Sequence, residues 1–277
     1  MKSTGIDSVD ELLSGGLPDG IVDIYGEPSS GKSAFGACLI KQAASEGRPV
    51  VLVHTTPLDK DRYLELAVPG DTTLATAPDW KTLGDVFSEV IRNTENLLLV
   101  VDSASALEAS VNTERSLSKI SYADNRAECL EALENLSNAC AETNATVVLI
   151  SEARAVLGRI NKIRSALGMD THLTARLYFK IAETKSAYGK VAYRKVDITV
   201  ERNKSAPPGK KTQIHIFSKD GIDKYLELLK YLISTRKIVQ KGAYWVTRSG
   251  SLLGPGYEKA SEQLKEIYEK SNSEDRQ

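Results

Sequence analysis

Residues 26–33 read GEPSSGKS, between the apolar run IVDIY and the run AFGACLIKQAASEG, and this feature constrains the fold more than any other in the chain. The pattern G-x-x-x-x-G-K-[ST] is met by Gly26, Gly31, Lys32 and Ser33, with Glu27, Pro28, Ser29 and Ser30 between them. Glycines let backbone amides turn toward anionic oxygens, and a helix N-terminus adds its dipole. The lysine reaches the β- and γ-phosphates, and the serine hydroxyl ligates Mg²⁺. The motif is informative when a strand leads in and a helix leads out. Residues 21–25 are strand-like and the run after the loop is helix-like, so a loop that binds ATP and Mg²⁺ is expected at the end of a parallel strand.

Such a loop needs an acid at the end of a second buried strand, to hold magnesium through water. LLLVVD at 97–102 supplies Asp102 at the carboxyl end of five apolar residues, where ligands of open α/β sheets gather. Further apolar runs at 50–54, 146–150, 177–181, 195–200 and 212–217 predict an α/β fold with a mostly parallel central sheet. The last two are closely spaced and alternate apolar with polar, which predicts an antiparallel edge. From about Gly221, the helix-like DKYLELLKYLISTR, the YWV hairpin with Trp245 as core anchor and a final charged helix suggest a small α+β lobe. The expected division is a core over 1–220 and a lobe over 221–277.

No apolar run approaches the ~18–20 residues of a membrane span. The start MKSTGIDSVDELL has one lysine and then acids where a leader would be apolar, so a cytoplasmic protein without membrane association is expected. Cys38, Cys129 and Cys140 lack metal-ligand spacing and read as buried, reduced thiols. The net charge of −1 conceals a polarity: residues 151–211 carry fourteen basic residues against five acids. That excess describes either a solvated face or a surface for a polyanion.

Taken together, the residues resemble the RecA-type strand-exchange recombinases. The likeness runs from near Ser3 to about Leu264. STGIDSVDELLSGGLPDGIVDIYGEPSSGKS resembles the opening of their ATPase core, and LLLVVDSASAL their magnesium strand. VERNKSAPP resembles a segment near their subunit interface, and KIVQKGAYWVTRSGSLLGPG their C-terminal hairpin region. The resemblance implies a RecA-like P-loop core. Asp59 and Tyr63 resemble adenine-side residues, although a tyrosine in an amphipathic helix serves packing equally well. Arg202 and Lys204 match basic residues that reach the γ-phosphate bound to the neighbouring subunit, which implies a homo-oligomeric helical filament. Two DNA-binding loops fall at about 108–126 and 153–170. The first carries Arg115, Lys119, Tyr122 and Arg126, and the second Arg154, Leu157, Arg159, Lys162 and Arg164. Cations with interleaved apolar groups suit single-stranded DNA, and sequence recognition would come from strand pairing.

The chain departs from that family at three places. Where a catalytic Glu follows the second strand, this chain has Thr55 and Thr56, and a hydroxyl is a poor base. Glu152 stands where a polar amide is common. It either takes over water activation, making it catalytic beside Lys32, Arg202 and Lys204, or serves coupling and phosphate repulsion. The chain also begins almost at the core, without the family's N-terminal subunit clasp, and has no long acidic tail. The leading expectation is a DNA-dependent ATPase that forms filaments on single-stranded DNA, pairs it with homologous duplex DNA and exchanges strands. Single-strand-binding or mediator proteins would be its helpers. The alternatives are an ATP-binding recombination mediator with weak or no hydrolysis, and a ring helicase motor on the same core, which the basic segment and ERNK fit less well.

Overall fold

The computed structural model describes residues 1–274 apart from 56, 67, 109, 111–121, 156–162, 166, 168–170 and 188–189. It describes all their side chains except those of 57–60, 122–123, 187, 190, 269 and 271–274. In chain order the elements are α1 (Asp7–Leu12), β1 (Gly20–Gly26), α2 (Lys32–Ser45), β2 (Val50–His54), α3 (Pro57–Glu65), β3 (Thr73–Ala75), α4 (Trp80–Arg92) and β4 (Leu98–Asp102). A 3₁₀ turn (Ala104–Ala106) precedes α5 (Tyr122–Thr143), β5 (Thr146–Ala155), β6 (Ile163–Ser165), β7 (Leu173–Ala187), β8 (Lys190–Asn203) and β9 (Lys211–Phe217). The chain ends with α6 (Lys224–Ser234), β10 (Ile238–Lys241), β11 (Tyr244–Thr247), β12 (Leu252–Pro255) and α7 (Gly256–Glu274).

The central sheet has the order β3-β2-β4-β5-β1-β7-β8-β9. It is parallel from β3 to β7, and β8 and β9 add an antiparallel edge. Its middle strands are continuous apolar runs because helices cover both faces. On one face α1, α2 and α3 pack through Val9, Leu12, Phe35, Leu39 and Tyr63 against Val22, Ile24, Leu52 and Val100. On the other, α4 and α5 pack through Trp80, Leu83, Phe87, Leu133 and Leu136 against Val51, Val53, Leu99 and Leu149. The helices α4 and α5 approach closely at Gly84, where a methyl group would lie 2.7 Å from Ala132 Cα.

Two outlines differ from the sequence reading. Strand β5 continues to Ala155 and pairs antiparallel with β6, so the segment 153–170 starts and partly returns as a β-ribbon. Strands β7 and β8 run far beyond the apolar runs at 177–181 and 195–200. Their polar extensions are held by the ladder and by Glu183, which meets Lys185 at 2.7 Å and Lys195 at 2.6 Å. The C-terminal segment forms its own three-stranded meander, β10-β11-β12, with a small core of Leu229, Ile238, Trp245, Leu253, Ala260 and Leu264. Buried Glu227 of α6 ties it to β9, accepting from the His215 amide at 3.1 Å and lying 3.0 Å from His215 Nδ1. Burial pushes the thiols of Cys38, Cys129 and Cys140 up to about 12.

A carboxylate lies in the middle of this sheet. Asp23 of β1 is fully buried; its Oδ2 accepts from Arg176 Nε of β7 at 2.8 Å, and its Oδ1 from Ser151 Oγ of β5 at 2.7 Å. Ser151 Oγ lies 3.0 Å from Ser165 Oγ of β6. Burial raises the pKa of Asp23 above the usual carboxylate value, while Arg176 and the two serines pull it back. Removing one partner of a buried pair leaves the other charge uncompensated. Arg176→Met is therefore expected to destabilise the protein by about 3–5 kcal/mol in urea unfolding, and Asp23→Asn added to it to restore a large part of the loss.

Candidate nucleotide-binding site

The loop at 26–33 leaves β1 and enters α2 through Gly31, whose φ of +86° is a left-handed conformation that a side chain would strain. Gly26 is needed for a different reason: a methyl group there would sit 2.3 Å from the Phe179 carbonyl oxygen of β7 and 2.9 Å from Ser30 Oγ. Lys32 Nζ spans the loop, donating to the carbonyls of Gly26 at 3.0 Å and Glu27 at 2.8 Å. Burial lowers its pKa from the usual lysine value, opposed by Asp102, Glu152 and Glu27. Ser30 Oγ is buried and finds no hydrogen-bond partner among the described residues.

The loop opens on a cavity of about 600 Å³ walled by Pro28, Ser29, Gly31, Lys32 and Ser33, with Asp102 from the end of β4 and Glu152 from within β5. These are parallel neighbours, and Glu152 stands level with Gly26 in the ladder. Asp102 is buried and accepts from Tyr63 Oη at 3.1 Å, while the Glu152 amide is fixed by Ser105 Oγ at 2.7 Å. The donors fit a magnesium-bound nucleotide. Lys32, Ser33 and Asp102 line one cavity, and the unpartnered buried hydroxyl of Ser30 lies within the loop.

Thr55 also lines the cavity, but its hydroxyl is engaged: it accepts from the Ser103 amide at 3.0 Å and lies 3.4 Å from the Ser103 carbonyl oxygen. Of the two roles that the sequence leaves open for Tyr63, the structure shows packing. Its ring is fully buried beneath α2, close against Gly36, so it presents no face to a purine and acts through its hydroxyl on Asp102. The side chain of Asp59 lies outside the description, as do Thr56, Arg115, Lys119, Leu157, Arg159, Lys162 and the side chain of Tyr122. Arg126 is exposed on α5. Arg154 and Arg164 are directly opposed across the β5–β6 ribbon, and both are exposed.

Arg202 and Lys204 lie at the other end of the sheet. Arg202 Nε donates to the Leu173 carbonyl at 3.1 Å, and the Lys204 amide donates to the Thr174 carbonyl at 2.9 Å. Leu173 pairs with Ile21, five residues before Gly26, which places these cations about 16 Å down the strands from the loop. Neither reaches the cavity of its own chain. Two cations that the sequence reading did not single out do line it: Arg62 of α3 and Arg194 of β8. Neither lies near the loop in sequence; the helix packing of α3 and the β8–β9 register bring them there.

A strand, a phosphate loop, a helix and an acid-tipped neighbouring strand define a P-loop nucleotide-binding α/β protein. Residues 1–223 match the RecA N-terminal domain family, and the chain belongs to that family. It is 27% identical over 272 residues to Protein RecA of Staphylococcus aureus strains JH9 and Newman, covering 95% of this chain and 78% of each relative. Its fold is similar to the crystal structure of the RadB recombinase, with a TM-score of 0.57 and 20% identity over 80% of this chain and 98% of that one. Among the described residues no helix is long and apolar enough to cross a membrane.

Gly26→Ala should drive the loop off β7. A displacement near 1 Å predicts about a hundred-fold loss in ATP hydrolysis rate, with weakened binding of a fluorescent ATP analogue in titration and the folded state retained in a thermal melt.

Proposed function

We propose that the protein is a recombinase that binds ATP with Mg²⁺, assembles into a filament on single-stranded DNA and exchanges strands with homologous duplex DNA. Its family membership supports a recombination role. The observation that carries the reading is the double duty of β5. Ser151 and Glu152 wall the nucleotide cavity, and two residues beyond Glu152 Arg154 faces Arg164 across the ribbon. Like charges directly opposed on a ribbon repel, and a phosphodiester between them relieves the repulsion. Nucleotide contacts and nucleic-acid contacts therefore share one stretch of backbone.

Within the cavity the loop amides and Lys32 hold the phosphate chain, and Ser33 with Asp102 hold the metal. Magnesium, when bound, neutralises charge on the β- and γ-oxygens. Tyr63 keeps the Asp102 carboxylate oriented. Glu152 is the carboxylate placed to take a proton from an attacking water, since the Thr55 hydroxyl is tied to the Ser103 backbone. Arg202 and Lys204 act on the nucleotide of an adjacent copy.

The function is tested by anisotropy of a labelled single-stranded oligonucleotide at fixed salt with ATP, ADP or no nucleotide, followed by strand exchange. ATP-dependent, cooperative binding is expected. Binding indifferent to nucleotide would overturn the recombinase reading in favour of a mediator. Glu152→Gln is expected to lower DNA-stimulated hydrolysis by about 10²-fold or more. Arg202→Ala and Lys32→Ala, each inactive alone, should recover hydrolysis when mixed, because one chain then supplies the loop and the other the cation. Arg154→Ala should reduce the slope of log affinity against log salt by about 1.

A further inference from the structure

We propose that Arg194 is a nucleotide-binding residue acting within its own chain, on the phosphate chain at the end remote from Asp102. This rests on the nucleotide reading of the loop at 26–33. Arg194 of β8 is the ladder partner of Ile216 of β9, and directly opposed residues of an antiparallel pair project from the same face. The face is fixed by Ile216: a methyl group on Gly31 would lie 2.0 Å from Ile216 Cδ1, so that side chain rests on the phosphate loop. Arg194 consequently stands beside the loop, one strand spacing from Ile216, and lines the same cavity as Lys32 and Ser33.

Arg176 is paired with Asp23, Lys195 with Glu183 and Arg62 with Glu65, whereas Arg194 has no acid partner among the described residues and is only partly buried. The carboxylates that line the cavity, Asp102 and Glu152, come from β4 and β5, on the other side of β1 from β8. A nucleotide laid across the loop thus has its metal-bearing, terminal phosphate toward β4 and β5. Its α-phosphate end lies toward β8, where the guanidinium donates to phosphate oxygens. ADP and ATP share that end.

The consequence is a division of labour between cations. Arg194 adds to the hold that Lys32 and the loop give a single chain on the nucleotide, whereas Arg202 and Lys204 act only after a second copy arrives. The test is a titration of a fluorescent ADP and a fluorescent ATP analogue at protein concentrations below assembly and without DNA, for the parent chain, Arg194→Ala and Arg194→Lys. Arg194→Ala should weaken both nucleotides equally, by about ten-fold, equivalent to about 1.4 kcal/mol. Arg194→Lys should recover part of the loss, and the nucleotide-free melting temperature of both variants should match the parent. Unaltered affinity in Arg194→Ala, a loss confined to ATP, or a loss matched by a lowered nucleotide-free melting temperature in both variants would overturn the inference. Failure of the parent chain itself to bind either nucleotide would instead overturn the reading of the loop, and the inference with it.

Discussion

The arrangement of this protein depends on one desolvated carboxylate. Taking Asp23 out of water costs several kcal/mol, and the sheet offsets it with a guanidinium from β7 and a hydroxyl from β5 that is itself linked to β6. Apolar residues would hold the strands together without fixing their relative height, because one Val–Val contact resembles the next. A buried charge with directional partners tolerates a single register. The loop that leaves β1, the cavity wall at the end of β5 and the ribbon that follows it are thereby set at fixed heights from a common point.

The parts of the site legible in the sequence are those whose chemistry is local. Gly26 to Ser33 carry their meaning in their spacing, and Asp102 carries its meaning in the apolar strand before it. The parallel core and the antiparallel edge were equally readable, because burial on two faces and on one face leave different patterns. Residues whose role comes from tertiary register were not readable. Arg194 enters the cavity through its partner Ile216, and Arg62 through the packing of α3. Tyr63 was ambiguous for a related reason: an aromatic ring in an amphipathic helix looks the same whether it meets a ligand or a core, and here the ring is buried.

Charge counting shows the same limit. Among the described residues, part of the basic excess over 151–211 is taken up in ion pairs. Arg176 is consumed by Asp23 within the sheet, and Lys185 and Lys195 are consumed by Glu183 along the β7–β8 hairpin. Among the described residues Arg154 and Arg164 are exposed and directly opposed, on a ribbon that reads as loop in the sequence because β6 is three residues long.

The separation of Arg202 and Lys204 from the phosphate loop carries a consequence for symmetry. A contact that brings these cations to another copy's loop joins the bottom of one sheet to the top of the next, so the two surfaces are unlike. Such a contact cannot close as a two-fold pair, in which each surface meets itself. It repeats head to tail, and where the repeat stays open as a helix it leaves an unused loop at one end and unused cations at the other. Any assembly built from it has a polarity, and a strand of nucleic acid bound along it inherits that direction.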